Sequence, residues 1–328
     1  MKWKTFILWA ALAILIAAFG LTYYYTSHVA RFSERTLNSF MNGGSRGRQD
    51  IFTSVLLVSG KWRAWGKPSQ YSLDVRLERL KGKQKDALVI LKAGAGQSLI
   101  AYYEKRNGYY QYRCLIDSFT DLLDVQVIPL AEQNSGLILV RDHKGPMPET
   151  REESVFICAY AWEDGRFTRT LNLRESYQAY YNELWDQNKP AGKCHWIHVA
   201  ERADILWENA NNPVIHVLTR QTYALSQSVS QAQIPAGQDF ELVRSRDILE
   251  EYVWSGKWMH FILFEGTDTK NAEPVAVLED LSDGPFGLIG QFTQVSRKYR
   301  VKYIDGTIDI VDKERVRPGI QIKGTRVI

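Results

Sequence analysis

The sequence predicts a mainly β protein that begins with a single transmembrane helix. Residues 6–25, FILWAALAILIAAFGLTYYY, contain no charge and no proline, and a helix needs about 20 such residues to cross a bilayer core. Short alternating or β-branched runs dominate from Tyr71 onward, which is typical of strands. The same order of runs occurs twice, and this indicates a β domain built from an internal repeat.

The apolar stretch is expected to be an anchor over residues 1–27. Lys2 and Lys4 precede it and three tyrosines end it, as in an interfacial aromatic belt. The alternative is a signal peptide cleaved after Ala18 or Gly20, but its apolar region would be only about 7–15 residues long. We therefore predict a single-pass protein of the cell membrane. We expect its large domain outside the cytoplasm, because long domains translocate largely regardless of charge.

Composition limits the remaining classes of partner. The net charge of +4 over 328 residues is mild, so a nucleic-acid partner is not expected. The three cysteines, Cys114, Cys158 and Cys194, are an odd number in apolar runs. They predict buried free thiols, not a disulfide scaffold.

Residues 28–70 are predicted to form a helical stalk and a linker. Apolar residues recur at helical spacing over 28–41, and Gly43 and Gly44 can end that helix. A linker or short stalk is expected after it, through Asp50. Basic residues follow, and they fit either contact with anionic headgroups or an ordinary solvated stalk. These residues are Arg46, Arg48, Lys61, Arg63 and Lys67.

Residues 71–235 are predicted to form the repeat domain. Each copy places a two-residue turn between aromatic-rich runs, at Asn107-Gly108 and at Asp164-Gly165. Such dipeptides favour β-hairpins because both residues must adopt positive φ. A third copy is expected from His195, with HWIHV and ADILW as separate strands. About four short strands per copy is the size of a propeller blade.

Two helices are predicted among the strands. In 173–187, LRESYQAYYNELWDQ, the aromatic residues share one helical face, and Asn172 with Glu175 resembles a capping box. Ser245 is expected to cap a second helix, RDILEEYVW, within a connecting segment over 236–273. Residues 274–328 are predicted to form a small basic barrel, with a hairpin at Asp305-Gly306 and a short turn after it.

The repeat, read from runs such as DVQVIPLAEQNSGLILVRD, resembles degenerate FG-GAP or VCBS blades of integrin-type propellers. This resemblance implies a partial propeller or a β-sandwich over about residues 71–219. Such families often hold calcium in an Asp-rich loop. The corresponding loops here, KGKQKD, AEQNSG and AERAD, lack the carboxylate series, so no calcium is expected.

The C-terminal piece resembles an SH3-like or Tudor-like barrel through YRVKYIDGTIDIV and the glycines before it. Tudor-like modules bind partners through aromatic residues at one mouth of the barrel. The resemblance therefore implies a binding role for Phe286, Phe292, Tyr299 and Tyr303, with burial in the barrel core as the alternative.

Sequence motifs give little support to catalysis. No P-loop, dinucleotide fingerprint, HExxH or GxSxG pattern occurs, and no cofactor is expected. Cys194, His195 and His198 are the only cluster that resembles a metal site, and zinc needs more ligands than these supply at this spacing.

We therefore expect a membrane-anchored, β-rich binding or scaffold protein without catalysis of its own, and with a protein or envelope-polymer partner. One alternative is an envelope hydrolase whose site assembles from distant residues. Another is a cytoplasm-facing protein whose basic barrel contacts nucleic acid.

Overall fold

The computed structural model describes residues 12, 14–17, 30–61, 65, 71–93, 96–130, 135–146, 151–182, 196–208, 212–228, 233–283, 297–319 and 326–327. The mainly β prediction is confirmed, because strands predominate and form three antiparallel sheets. The chain divides into two compact units. Unit 1 is Met1–Asp121 with Asn134–Gly136 and Asp164–Phe167, and unit 2 is Leu122–Gln133, Leu137–Glu163 and Thr168–Ile328.

Unit 1 contains a five-stranded sheet, sheet A, in the order β1-β5-β4-β3-β2. The strands are β1 (Arg31–Ser33), β2 (Ser72–Glu78), β3 (Asp86–Lys92), β4 (Ser98–Arg106) and β5 (Tyr109–Phe119). Two helices lie between β1 and β2 in the sequence, α1 (Glu34–Met41) and α2 (Ser45–Val58). Because β2 to β5 are antiparallel neighbours in chain order, short connections suffice to join them.

The predicted stalk is part of the core of unit 1. The helix expected over 28–41 begins only at Glu34, where Ser33 Oγ accepts a hydrogen bond from the backbone N–H of Thr36. The linker expected up to Asp50 is wrong from residue 45, because α2 starts there. Its buried face, Ile51, Val55 and Leu56, packs in one cluster with the apolar face of sheet A, and burial of these side chains stabilises the helix.

The second copy of the repeat follows directly. Its strands are β6 (Asp121–Leu130), β7 (Ser135–Lys144), β8 (Glu153–Glu163) and β9 (Arg166–Asn182). The equivalence of the two predicted turns is confirmed. Both lie between the third and fourth strands of their copies, with φ of 46° and 80° at Asn107-Gly108 and 49° and 86° at Asp164-Gly165.

The second copy does not form a sheet of its own. Together with the strands that follow, it makes a nine-stranded sheet, sheet B, in the order β13-β12-β11-β10-β9-β8-β7-β6, with β19 also paired to β12. The added strands are β10 (Trp196–Glu208), β11 (Val214–Ser226), β12 (Glu241–Ser255), β13 (His260–Ile262) and β19 (Arg326–Val327). HWIHV and ADILW, predicted as two strands, therefore belong to one.

Both helices predicted in this region are wrong. Residues 173–182 belong to β9, and the rest of the predicted helix lies outside the described residues. RDILEEYVW belongs to β12. Tyr177 and Tyr181 are four residues apart, which suits one helical face but also one face of a strand. Pairing with β10, in which Ile197 lies opposite Tyr181, selects the strand.

Unit 2 also contains sheet C, in the order β17-β16-β15-β14-β18. Its strands are β14 (Phe264–Asp268), β15 (Glu273–Asp280), β16 (Lys298–Tyr303), β17 (Ile308–Asp312) and β18 (Val316–Pro318), with a 3-10 turn at Lys313–Arg315. The hairpin around Asp305-Gly306 and the short turn after it are confirmed. The predicted start at residue 274 omits β14, which pairs with both β15 and β18. Apolar residues of sheets B and C share one core cluster.

The predicted anchor lies almost entirely outside the described residues, because only Leu12 and residues 14–17 of it are described. Over the part of the chain that the structure describes, no helix has the length and apolar character needed to cross a bilayer.

Candidate functional site

Sheet B divides between β9 and β10. The two strands pair from Asn182 opposite Trp196 to Ser176 opposite Arg202. Beyond this paired stretch, β9 extends back towards Thr168 and β10 continues to Glu208. Beyond Arg202, β10 remains paired with β11 as far as Glu208, which lies opposite Val214. β9 remains next to β8. We call this divergence the fork; its arms are residues 168–175 of β9 and 203–208 of β10.

An open groove lies along the fork. It has a volume of about 770 Å³ and is lined by both arms and by the neighbouring strands β7 and β8. A smaller cavity of about 220 Å³ is lined by residues of β8 to β12 together with Glu279, Asp280 and Leu281. Glu201 lines both spaces, so its carboxyl group lies at the base of the fork.

A row of side chains crosses four strands at this point. Tyr177 pairs with Glu201, Glu201 with Gln221, and Gln221 with Arg246. Directly paired residues place their side chains on the same face of a sheet. Gln221 Nε2 donates to Glu201 Oε2 at 2.7 Å, and Arg246 Nε donates to Gln221 Oε1 at 2.7 Å. The row therefore links a buried carboxylate to a guanidinium through an amide.

Arg174 supplies a second guanidinium at the base of the fork. Its Nη1 lies 3.4 Å from Glu201 Oε1, and its guanidinium lies 5.1 Å from the ring centre of Tyr177 and 5.8 Å from that of Phe156. Its buried Nε has no hydrogen-bond partner among the described residues. Burial raises the pKa of Glu201, and Arg174 and Gln221 offset only part of that rise. The Arg174 Nε is therefore a buried donor that the described protein atoms leave unused.

The groove itself alternates charge and apolar surface. Arg141 Nε lies 2.5 Å from Glu175 Oε2, and Gln178 Nε2 donates to Glu153 Oε2 at 2.8 Å. Ile205 and Trp207 line the same groove from β10. An amphipathic groove of this kind suits a chain with both polar and apolar side chains.

The β10 arm offers backbone groups as well. In a strand, every second residue directs its N–H and C=O towards a given neighbour. On one side, residues 203–208 pair with β11. On the other side, the described pairing of β10 with β9 ends at Arg202. That edge can accept a further strand by main-chain hydrogen bonding.

Two of the four aromatic residues predicted to bind a partner are described, and both lie in β16 of sheet C. Phe286 and Phe292 are outside the described residues. Tyr299 packs edge-to-face on Phe264, with ring centres 5.6 Å apart, and Tyr303 donates to Asp268 at 2.7 Å. Tyr299 and Tyr303 are partly buried against the core of unit 2, and a binding role for them remains a prediction.

The cluster of Cys194, His195 and His198, a weak candidate for a metal site at which no metal was expected, is only partly described. Cys194 and His195 lie outside the described residues. The His198 ring stacks on Tyr180 with centres 4.4 Å apart, and burial lowers its pKa. Within the described ranges, no group of three or more potential ligands could hold a metal ion. Neither Cys114 nor Cys158 forms a disulfide within the described ranges. Cys158 is buried as predicted and its thiol donates to Asn172 Oδ1 at 3.2 Å, whereas Cys114 is only half-buried.

Comparison with known proteins adds no identity: no protein family, curated protein or solved structure matches the chain. The function must therefore be argued from the chemistry of the fork.

The sequence contained one signal of this site. In β10, apolar residues occupy every second position from Ile197 to Ile205, except that Glu201 stands in the middle of this series. A glutamate within such an apolar series is costly to bury without partners, so it marks a polar site. The partners themselves come from strands far apart in the chain, and sequence spacing does not reveal them.

Proposed function

We propose that this chain is a membrane-anchored, β-rich binding protein that holds an extended segment of a partner polypeptide in the fork. The observation that carries the proposal is the open edge of β10 beside an amphipathic groove. A polypeptide supplies both the main-chain groups for that edge and alternating side chains for the groove.

Arg174 gives the proposed partner a preferred chemistry. Its side chain lines the small cavity at the base of the fork, and its guanidinium favours an acceptor there, either a carboxylate or a backbone carbonyl of the bound segment. The nearby carboxylates, Glu201 and Glu175, disfavour a segment with many acidic groups. We therefore propose a mixed segment with an acceptor placed near the base of the fork.

The remaining features of the proposal rest on sequence and strand order. Residues 6–25 would attach the protein to the cell membrane, with both units outside the cytoplasm. Sheet C, with its 3-10 turn before the closing strand, supports a small SH3-like barrel. The two four-stranded copies support a partial propeller or sandwich, although β6 to β13 belong to one continuous sheet.

A hydrolase is the second candidate. The observation that favours it is the raised pKa of Glu201 at the edge of a groove, since a general acid needs a carboxyl that holds its proton. Binding and hydrolysis are separable, because a hydrolase would cleave the segment that a binding protein retains.

A peptide-display selection on the full chain in detergent tests the proposal. We expect selected peptides to lose affinity when alternate backbone nitrogens are methylated, because main-chain donors are removed while side chains stay. Ser176→Trp, at the point where β9 and β10 part, should fill the groove and weaken binding by about tenfold or more. Ser118→Trp, at an exposed position of unit 1, is the matched control and should bind normally.

Peptides that tolerate both backbone methylation and Ser176→Trp would place the binding site elsewhere and overturn the proposal. Cleavage of the bound peptide that is lost in Glu201→Gln would instead favour the hydrolase.

A further inference from the structure

One end of sheet A collects basic side chains from two connections. The β2–β3 connection contains Arg79, Lys81, Lys83 and Lys85 and no acidic residue, and all four are exposed. The β4–β5 turn adds Lys105 and Arg106. Gln84 Nε2 donates to the carbonyl of Lys105 at 2.8 Å and joins the two connections. We call these six basic residues the basic end.

Three acidic residues nearby are already engaged. Glu104 accepts hydrogen bonds from Lys81, Arg106 and Arg113. Burial alone would raise the pKa of Glu104, but its bonds to Lys81 and Arg113 lower it to about 2. Glu34 pairs with Lys105, and the buried Asp86 accepts from the Tyr102 hydroxyl and the Lys105 N–H.

Three cations remain for an external partner. Among the described residues, Arg79, Lys83 and Lys85 form no ion pair. The half-buried Glu78 is the neighbouring acid with no described cation of its own. The basic end therefore presents an excess of positive charge from exposed, flexible side chains.

In the sequence, the apolar stretch lies just before β1. Five residues separate Tyr25 from Arg31, a distance of at most about 20 Å when extended. β1 then runs towards the β4–β5 turn, where the backbone N–H of Glu34 donates to Gly108 at 3.0 Å. At the same end Tyr109 is 42 % exposed, and the Arg31 guanidinium lies 4.8 Å from its ring centre. An exposed tyrosine beside cations is typical of a membrane interface.

We propose that the basic end binds anionic lipid headgroups next to the membrane-inserted stretch and so holds unit 1 against the bilayer surface. The proposal rests on the membrane attachment proposed above. Phosphate groups of nucleic acid share this chemistry, but the apolar stretch at residues 6–25 favours the lipid. Each basic residue near an anionic surface strengthens binding by about fivefold, so three cations suffice to orient the unit.

Lysine acetylation of the full chain in nanodiscs tests this. One set of nanodiscs contains phosphatidylcholine alone, and the other contains added phosphatidylglycerol. We expect Lys83 and Lys85 to be acetylated at least about threefold more slowly in the anionic set, with high salt removing the difference. The exposed Lys270 of unit 2 is the internal reference and should react equally in both.

Co-elution of the chain with nanodiscs reports membrane attachment separately. A chain that does not co-elute overturns both the attachment and the headgroup proposal. A chain that co-elutes but shows equal acetylation of Lys83 and Lys85 in the two sets overturns the headgroup proposal alone. Protection by a single-stranded oligonucleotide, without protection by anionic nanodiscs, would assign the basic end to nucleic acid.

A paired variant supplies the second readout. Lys83→Glu/Lys85→Glu changes only exposed side chains, so folding should persist. It should speed proteolysis of the β4–β5 turn in anionic nanodiscs to the rate seen in phosphatidylcholine alone. Lys257→Glu/Lys270→Glu, which alters the charge equally in unit 2, should leave that rate unchanged. Equal effects of the two variants would contradict the proposal.

Discussion

The two copies of the repeat have the same strand order, but their last strands have different neighbours. In the first, β5 pairs with β1 and the sheet ends there; in the second, β9 pairs with β10 and the sheet continues to β13. The turns are equivalent in backbone angle. Local sequence therefore determines the strands and the hairpin, whereas the partner of the last strand determines which sheet forms.

Their buried faces differ for the same reason. The face of sheet A is apolar and is covered by α1 and α2. In sheet B the apolar face is interrupted where β9 and β10 separate, and Arg174, Glu201 and Gln221 lie in the interruption. The candidate site thus lies where β9, the last strand of the second copy, meets β10, a strand that is not part of that copy.

The largest expected effect comes from one buried leucine in each copy. Leu91 in β3 and Leu137 in β7 both have 0 % exposure. Leu91→Ala should destabilise unit 1 and Leu137→Ala should destabilise unit 2, each by about 2–5 kcal/mol, because a cavity replaces the side chain. Hydrogen exchange of the amides, read strand by strand, measures where protection is lost.

The strands that lose protection show whether the two copies unfold independently. Leu91→Ala should leave the amides of β10 to β12 protected. Equal loss in both units would mean that the two copies belong to one cooperative core.

The two units should also lose stability in different pH windows. Burial, then the nearby charge of Lys302, lowers the pKa of His260 in unit 2 from 6.5 to about 4. The folded unit therefore binds fewer protons than the unfolded chain between these values, and its stability should fall by about 2–4 kcal/mol as pH falls from 6.5 to 4. His260→Gln should flatten this slope in pH-dependent unfolding.

Unit 1 should respond at lower pH. The pKa of Glu104 lies at about 2, against an ordinary value of 4.5. Its stabilising contribution is present above pH 4.5 and is lost as pH falls towards 2. A single common pH transition that neither His260→Gln nor Glu104→Gln alters would contradict this assignment.

The fork should show a smaller, pH-dependent effect. Arg174→Leu leaves the buried Glu201 carboxylate without its cation, at a cost of about 1–3 kcal/mol at pH 7. The cost should shrink at pH 4, because Glu201 is then protonated in the folded state, where its pKa is raised. Urea unfolding at the two pH values measures the difference, and Arg174→Leu/Glu201→Gln should recover most of the loss. A loss that is equal at both pH values would assign Arg174 a packing role only.

Sequence reasoning succeeded where chemistry is local. Asn107-Gly108 and Asp164-Gly165 were predictable because both positions of a tight hairpin need positive φ, which Gly and Asn or Asp tolerate. It failed at β9 and β12, where the spacing of Tyr177 and Tyr181 fits a helix as well as a strand. There the decision came from pairing with residues that lie 14 or more positions away.

The candidate site was less predictable than the fold. Glu201 gave a signal as a charged residue in an apolar series, but its contact with Arg174 joins residues 27 positions apart. The fork itself depends on where the register of β9 with β10 ends. Neither the strand propensity of the residues nor the spacing of the apolar residues predicts where that pairing ends.

The smallest effect tests the equivalence of the copies most directly. An added Cβ at Gly108 or Gly165 meets no atom within 4 Å, and both residues have positive φ, +80° and +86°. Gly108→Ala and Gly165→Ala should therefore cost about 1–2 kcal/mol each from backbone strain alone. Gly237→Ala is the matched control, because that site is equally open but its φ is not positive, and it should be neutral within about 0.5 kcal/mol. Similar costs at Gly108 and Gly165, measured by hydrogen exchange of β4–β5 and β8–β9, would show that the two turns are energetically as well as geometrically equivalent. A cost at only one of them would mean that the pairing partner of the last strand also affects the stability of the turn before it.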